Sequence, residues 1–373
     1  MIRSLQLMLL IGKILPIPAP AVLVDALQSA QVTNSASGAS GFQLTFAAGR
    51  SATVIQALLA AGGLDPGIRV VLTAVVGGFP SVLMDGLITR QELVPGKDPG
   101  TSTLTLTGED LTLLMDLRHR ERCYPGLPHN LRVMLICAGY AEYGIIPLAV
   151  PPVIPDLPNP AVEIPVQSSS DLAYLRSMAA DVGYTFFIEP GPVPGVNLAY
   201  WGPHVRAGLL QPALTVDSGT ATNVESLSFA YDGLSRTQYT IRLTEPLTKL
   251  SIPVPIPDIS LLRPPLALRP AVALREEPLP DQTGRSLVET LLFGLGRSAE
   301  SADAVTGQGS LDVLRYGHVL RARHLVGVRG AGLAYDGIYY VNSVTHHIKR
   351  GEYKQDFTLS RDGLVPITPV VIP

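Results

Sequence analysis

A mainly β fold with an α/β middle region is the class this sequence predicts, and three observations carry the prediction. Apolar and polar residues alternate with period two in "STLTLTGED" (Ser102–Asp110) and again in "KQDFTLSR" (Lys354–Arg361) near the other end. That pattern belongs to a sheet with one face covered. The chain holds 35 glycines and 33 prolines, which break it into short elements. Between the β-rich ends lie stretches of helical periodicity, above all "SSSDLAYLRSMAADVGYTFFIE" (Ser168–Glu189).

Taken in order, Leu5–Ile11 and Gly41–Ala48 read as strands joined by a Pro-rich and then Ser/Gly-rich connection. Arg3 followed by "LQLMLLIG" resembles the start of a leader. Lys13 interrupts the apolar run and no small-residue cleavage box follows, so an opening strand is expected. No apolar run reaches the ~20 residues of a membrane span. "SATVIQALLAAGGL" (Ser51–Leu64) predicts a short helix capped by Ser51 and stopped at Gly62. Strands follow at Ile68–Val76, Val82–Val94 and Ser102–Asp110. "EDLTLLMDLRHRERCY" (Glu109–Tyr124), with Leu111, Leu114, Met115 and Leu117 on one stripe, predicts an amphipathic helix. Asn130–Gly144 is a second helical candidate, and Ile146–Gln167 is too rich in proline to be anything but an extended connection. The next helix runs through Ala180, stops at Gly183 and becomes the strand Tyr184–Glu189; Gly195–Pro203 is another strand. Ala221–Glu245 returns to β character. Leu250–Pro280 reads as a peripheral extended segment and Gly284–Glu300 as a helix. Strands close the chain at Gly317–Val328, Gly337–Ile348 and Lys354–Arg361.

The two β-rich ends resemble each other. Gly67 aligns with Gly317, Asp85-Gly86 with Asp336-Gly337 and Leu106 with Leu359, in the same strand order and with a slowly widening offset. A duplicated small β-domain is expected from this match.

The composition restricts function. A formal net charge of −3 gives no electrostatic basis for nucleic-acid recognition. Charged residues make up only 16% against 46% apolar ones, which favours extensive subunit contacts. Cys123 and Cys137 have neither zinc-site spacing nor a disulfide framework. No dinucleotide, Walker, zincin, nucleophile-elbow or EF-hand motif is present, and "GLGRSAES" lacks the lysine of a phosphate loop. Glu109 and Asp110, with Asp116 nearby, read as residues at a helix start. The histidines are His119, His129, His204, His318, His324, His346 and His347. On a strand the adjacent pair His346-His347 points to opposite faces and does not converge on one metal. His318 and His324 are expected on a neighbouring strand, sharing a face. Tyr339 and Tyr340, after Tyr335, read as sheet packing, and the basic residues of "RARH" and "HHIKR" as a solvated face, an interface or a lumen lining. No catalytic, cofactor-binding or metal-binding residue is assigned, no cofactor is expected, and the interface residues stay unknown.

"LLIGKILPIPAP" (Leu9–Pro20), "VTNSASGASGFQLTF" (Val32–Phe46), "LTLTGEDLTLLMD" (Leu104–Asp116), the Ser168–Glu189 stretch and Leu311–Leu364 together resemble the phage late control D family of tail baseplate hub proteins. That family is similar to the hub portion of VgrG in type VI secretion and to hubs of extracellular contractile injection systems. The resemblance implies a fold of two related tube-like β-barrel domains plus an inserted α+β domain. On this chain it suggests residues 1–110 as the first tube-like domain and 111–205 as the inserted domain. Residues 206–245 and 305–373 would form the second tube-like domain, with 246–304 a Pro-rich segment and helix. It implies a homotrimer with pseudo-sixfold symmetry, an inner tube protein above, a separate spike protein below and other baseplate proteins around it. Such a protein is made in the bacterial cytoplasm and assembled into the particle. The family's hubs carry no catalytic residues, and "PITPVVIP" (Pro366–Pro373) is expected to be a terminal arm. Two other functions stay open on residues alone: a tail-associated cell-wall hydrolase using Glu109, and a secreted carbohydrate-binding module using the tyrosines.

Overall fold

The structure is a computed structural model that describes residues 5–49, 53–98, 101–152, 158–161, 164–206, 208, 210–244, 251–256, 263–280 and 287–368. Ser51 and residues 369–373 of the expected arm lie outside the described residues. The chain is mainly β. Its first part contains β1 (Leu5–Gly12), β2 (Ile17–Pro18), α1 (Ala21–Asp25), β3 (Leu27–Ser35), β4 (Gly41–Ala47), α2 (Thr53–Ala60), β5 (Arg69–Val76), β6 (Phe79–Val94) and β7 (Thr103–Asp110). β5 is covered on both faces and so is apolar apart from Arg69 and Thr73, whereas β7 alternates because one face is open.

The middle part is helical and sheet-like in turn: α3 (Thr112–Asp116), β8 (His119–Cys123), α4 (His129–Ala138), β9 (Ile145–Ala149), β10 (Val166–Ser170), α5 (Asp171–Asp181), β11 (Tyr184–Pro190) and β12 (Asn197–Pro203). α5 starts where the Ser170 hydroxyl accepts from the Ala173 N–H and ends before Gly183, whose φ of +68° turns the chain into β11. The return part holds β13 (Leu210–Thr215), β14 (Ser226–Tyr231), β15 (Thr237–Thr244), β16 (Ser251–Pro255), β17 (Ala267–Pro270), β18 (Arg275–Pro278) and α6 (Leu287–Glu300). It finishes with β19 (Val305–Asp312), α7 (Val313–Tyr316), β20 (Leu325–Arg329), β21 (Gly337–Lys349), β22 (Glu352–Arg361) and β23 (Gly363–Pro366).

Three sequence expectations change. The helix expected over Glu109–Tyr124 is the end of β7, one turn of α3 and then β8, which pairs with β10. Leu111 and Met115 still face a core, but Arg118–Arg122 carries too little apolar surface to extend a buried helical stripe. Leu250–Pro280 is not merely peripheral: β16 and β18 flank β15, β17 pairs with β23, and Ile256 and Leu279 join Ile241 and Phe293 in a small core. Residues 317–324 form no strand, so His318 and His324 do not share a sheet face.

Strands from both ends of the chain share one 13-stranded sheet, ordered β14-β19-β22-β21-β3-β4-β7-β6-β5-β1-β2, with β20 on β21 and β13 on β20. Within it the same arrangement occurs twice. β3-β4-β7-β6-β5 and β14-β19-β22-β21-β20 have identical spatial order relative to chain order. Even the irregularities match: β6 bulges at Thr89 against β7, and β21 bulges at Asn342 against β22. The bulges also correct the residue matches read from sequence. Ile88, before its bulge, bonds to Ile68 and Gly67; Val341 bonds in the same way to His324 and Arg323. Gly67 (φ +91°) therefore corresponds to Arg323 (φ +65°), not to Gly317. Likewise Leu359, opposite Val341, stands where Gly108 stands opposite Ile88, and Leu106 corresponds to Phe357.

Cross-strand packing explains why identities are scarce. In the first unit the Phe42 ring lies over Gly108, where an added Cβ would collide with it. At the equivalent place in the second unit Gly307 faces Leu359, with large and small exchanged. One apolar core runs beneath both units, from Leu9, Val32, Phe46 and Ile55 to Val326, Val344 and Leu359. A second core in the middle part gathers Leu111, Met115, Val133, Leu175, Phe186 and Trp201. Among the described residues the sheet does not close into a barrel: its ends, β14 and β2, do not pair with each other.

Candidate assembly edges and buried polar joints

The adjacent histidines divide as a strand requires. His346 is 1% exposed, with Tyr353 Oη 2.8 Å from Nδ1 and Asn34 Nδ2 3.3 Å from Nε2. Burial pushes its imidazole down to about 3, so it is neutral and structural. The sequence reading of both histidines as surface or lumen residues is thus wrong for His346, because the covered face of β21 continues through Val344 and Ile348. His347 points the other way, with Nε2 3.0 Å from Asp356. Among the described residues no three His, Cys, Asp or Glu side chains converge as a metal site.

The carboxylates do not form a catalytic pair. Glu109 is exposed on β7, while Asp110, on the opposite face, accepts the Thr112 N–H at 2.9 Å and its hydroxyl. Asp116 accepts from the Ser170 hydroxyl at 2.5 Å, tying α3 to the start of α5. Tyr339 and Tyr340 are both buried. Tyr339 packs on Phe229 and Arg361, with centroid separations of 5.3 and 4.4 Å; Tyr340 packs on His204 and Arg206, at 4.9 and 5.1 Å. Neither offers a ring face to a sugar. Cys137 is buried in α4 and Cys123 exposed on β8, both as free thiols.

Sequence patterns did not reveal the buried polar joints between parts. Arg69 and Asp85, each 1% exposed in its side chain, form a two-pronged ion pair with both contacts at 2.7 Å. Asn197 of β12 donates to the same carboxylate at 2.8 Å. Arg69 also donates to the carbonyls of Ile14, Tyr143 and Gly195. One guanidinium thus ties the sheet to the middle part at two points, Tyr143 and Gly195, and Asp85 adds a third through Asn197. A second joint pairs Arg206 with Asp303, whose Oδ2 also accepts from the Ser360 hydroxyl at 2.7 Å. The Arg206 and Arg263 charges hold the Asp303 carboxyl below the usual range despite the opposing effect of burial. Arg323 lies 4.2 Å over the Phe187 ring of β11 and donates to the Ser35 carbonyl at 2.5 Å, joining the sheet to the middle part again.

The surface features that could act on other molecules are sheet edges and one open sheet face. That face carries hydroxyl contacts across strands, between Thr33 and Thr345 (3.2 Å), Ser343 and Thr358 (2.7 Å), and Ser226 and Ser310 (2.9 Å), beside the exposed His347–Asp356 and Lys354–Glu225 pairs. β14 pairs only with β19, leaving its other edge without a strand among the described residues. Arg90–Val94, the last part of β6, pairs with β7 on one side only and is exposed throughout. Unpaired backbone donors and acceptors of this kind invite strand addition.

No family model matches the chain, and no curated protein matches it. Solved structures do. A tail protein from Neisseria meningitidis MC58 is 14% identical with a TM-score of 0.61, over 97% of this chain and 98% of that one. The 43 kDa tail protein of prophage MuSo2 from Shewanella oneidensis is also 14% identical, with a TM-score of 0.63 over 97% and 100%. An E. coli component of the type VI secretion system, described as structurally similar to T4 bacteriophage tail proteins gp27 and gp5, is 12% identical. Its TM-score is 0.53 over 93% of this chain and 77% of that one. The chain shares its fold with these tail and secretion-system proteins.

Proposed function

We propose that the protein is a structural baseplate hub of a contractile injection particle. It is made in the bacterial cytoplasm and assembles as a homotrimer that joins a hexameric inner tube to a separate, trimeric spike protein. The observation that carries this reading is the five-strand arrangement repeated within one sheet. Two like units per chain, taken three times, give six quasi-equivalent positions toward the tube while the assembly keeps threefold symmetry toward the spike. On this reading residues 1–110 are the first tube-like domain and 206–245 with 305–373 the second. Residues 111–205 form the inserted domain, and 246–304 add the Pro-rich segment and α6. The two units close a barrel only together with those of other copies.

The likeness to phage tail proteins and to a type VI secretion component supports a tail or baseplate role. Asp110 and Asp116 are taken up by local hydrogen bonds, Tyr339 and Tyr340 are packed in the core, and Glu109 stands exposed on β7 with Asp110 on the opposite face, which supports a structural role. Light scattering of the purified protein, with averaged electron-microscopic projections, tests the proposal. The expected result is the mass of three chains in a hollow ring with six peripheral densities. A stable monomer at micromolar concentration would overturn it.

A further inference from the structure

Inside the chain the two units meet at one junction. After its bulge at Asn342, β21 pairs antiparallel with β3, placing Ser343 opposite Ser35, Thr345 opposite Thr33 and His347 opposite Gln31. Each partner in that junction has a counterpart elsewhere. Arg90–Val94 follows the Thr89 bulge of β6 as Ser343–His347 follows Asn342, and it lacks the second neighbour that β21 has. β14 is the counterpart of β3: Leu227 and Phe229 lie opposite Gly309 and Gly307, as Ala30 and Val32 lie opposite Leu44 and Phe42. The chain therefore uses one junction and carries both halves of another, separated by the strands between β14 and β6.

We propose that the Arg90–Val94 edge of one copy pairs antiparallel with the β14 edge of a second copy, repeating the β21–β3 junction between subunits. The inference rests on the trimer reading above and deepens it by naming the surface. Transferring the internal register sets Arg90 opposite Asp232, Gln91 opposite Tyr231, Glu92 opposite Ala230, Leu93 opposite Phe229 and Val94 opposite Ser228. The chemistry of the two edges fits. Arg90 and Asp232 are exposed and opposite in charge. Leu93 is 46%, Val94 51% and Tyr231 43% exposed, so pairing covers apolar surface that lies open in one copy. Leu93 stands where His346 stands and so falls on the covered face of the sheet, over Phe229. A second copy suits this edge because its exposed counterpart lies on the same chain and the geometry of the junction is already present once.

Disulfide trapping tests the register. In a Cys123→Ser background, Glu92→Cys is combined with Ala230→Cys and oxidised, and the products are separated without reductant. Facing residues in antiparallel strands have Cα atoms about 4.5–5.5 Å apart, within disulfide reach. The expected products are linked species of up to three chains, abolished by dithiothreitol. The control pair Glu92→Cys with Ser226→Cys shares the face but lies four residues out of register, about 13 Å away, and is expected to stay unlinked. A protein with trimer mass that leaves Glu92→Cys/Ala230→Cys unlinked, or links the control equally well, overturns the edge pairing and leaves the trimer standing. A monomer overturns both.

Discussion

Replacing Asp85 with alanine strips the main joint between sheet and middle part of its only carboxylate. The side chain accepts three hydrogen bonds, two from Arg69 and one from Asn197, and all of them are inside the protein. Without it, the Arg69 cation stays buried at 1% exposure against the neutral carbonyls of Ile14, Tyr143 and Gly195 and the Tyr143 ring. Removing one partner of a buried ion pair costs about 3–5 kcal/mol, because the remaining charge is uncompensated. Against a typical total of about 5–15 kcal/mol, that is a large fraction of the stability. The single tryptophan, Trp201, is fully buried in the middle core and reports that part by fluorescence; far-UV circular dichroism reports the sheet. Urea titrations of Asp85→Ala followed by both signals are expected to lose about 3–5 kcal/mol, with the fluorescence transition no later than the dichroism. A loss below about 1 kcal/mol on both signals would refute the argument that this pair joins the two parts.

Two further outcomes follow from buried groups. His346 and His204 are both pushed down to about 3, chiefly by desolvation, from the ordinary imidazole value of about 6.5. The unfolded chain therefore takes up these protons first. Stability is full above pH ~6.5 and falls through the window between 6.5 and 3, by about 1.4 kcal/mol per pH unit for each histidine. Urea midpoints between pH 7.5 and 5 measure this slope, and His346→Gln is expected to lessen it by about half. Burial also pushes the Cys137 thiol up to about 12, while Cys123 is exposed. Iodoacetamide at pH 8 is expected to modify only Cys123 in native protein and both thiols in denaturant, as read by intact mass.

Much of the fold was legible because it rests on local pattern. Alternation marked β7 and β22, the serine run and Gly183 marked both ends of α5, and the likeness of the two ends anticipated the repeated strand order. What sequence could not supply was register. A bulge shifts the partner of every following residue by one, and neither Thr89 nor Asn342 carries a signal for it. The Gly67–Gly317 match was out of place for another reason: the true counterpart is Arg323, whose left-handed backbone is carried by a residue other than glycine. The polar joints were invisible for a different reason. Arg69 and Asp85 lie in strands that otherwise read as apolar, and Asn197 lies far along the chain, so only the folded structure brings the three together.

The exchange of sizes between Phe42 over Gly108 and Gly307 against Leu359 has a consequence for the ancestry and re-engineering of such chains. What the two halves hold in common at that place is a filled volume shared by two facing positions, not a residue at either one. A single strand grafted from one half into the other would set two large side chains together or leave a hole where none existed. Grafting the facing strands as a pair would do neither. Halves related in this way drift apart in column-by-column comparison while remaining interchangeable in twos.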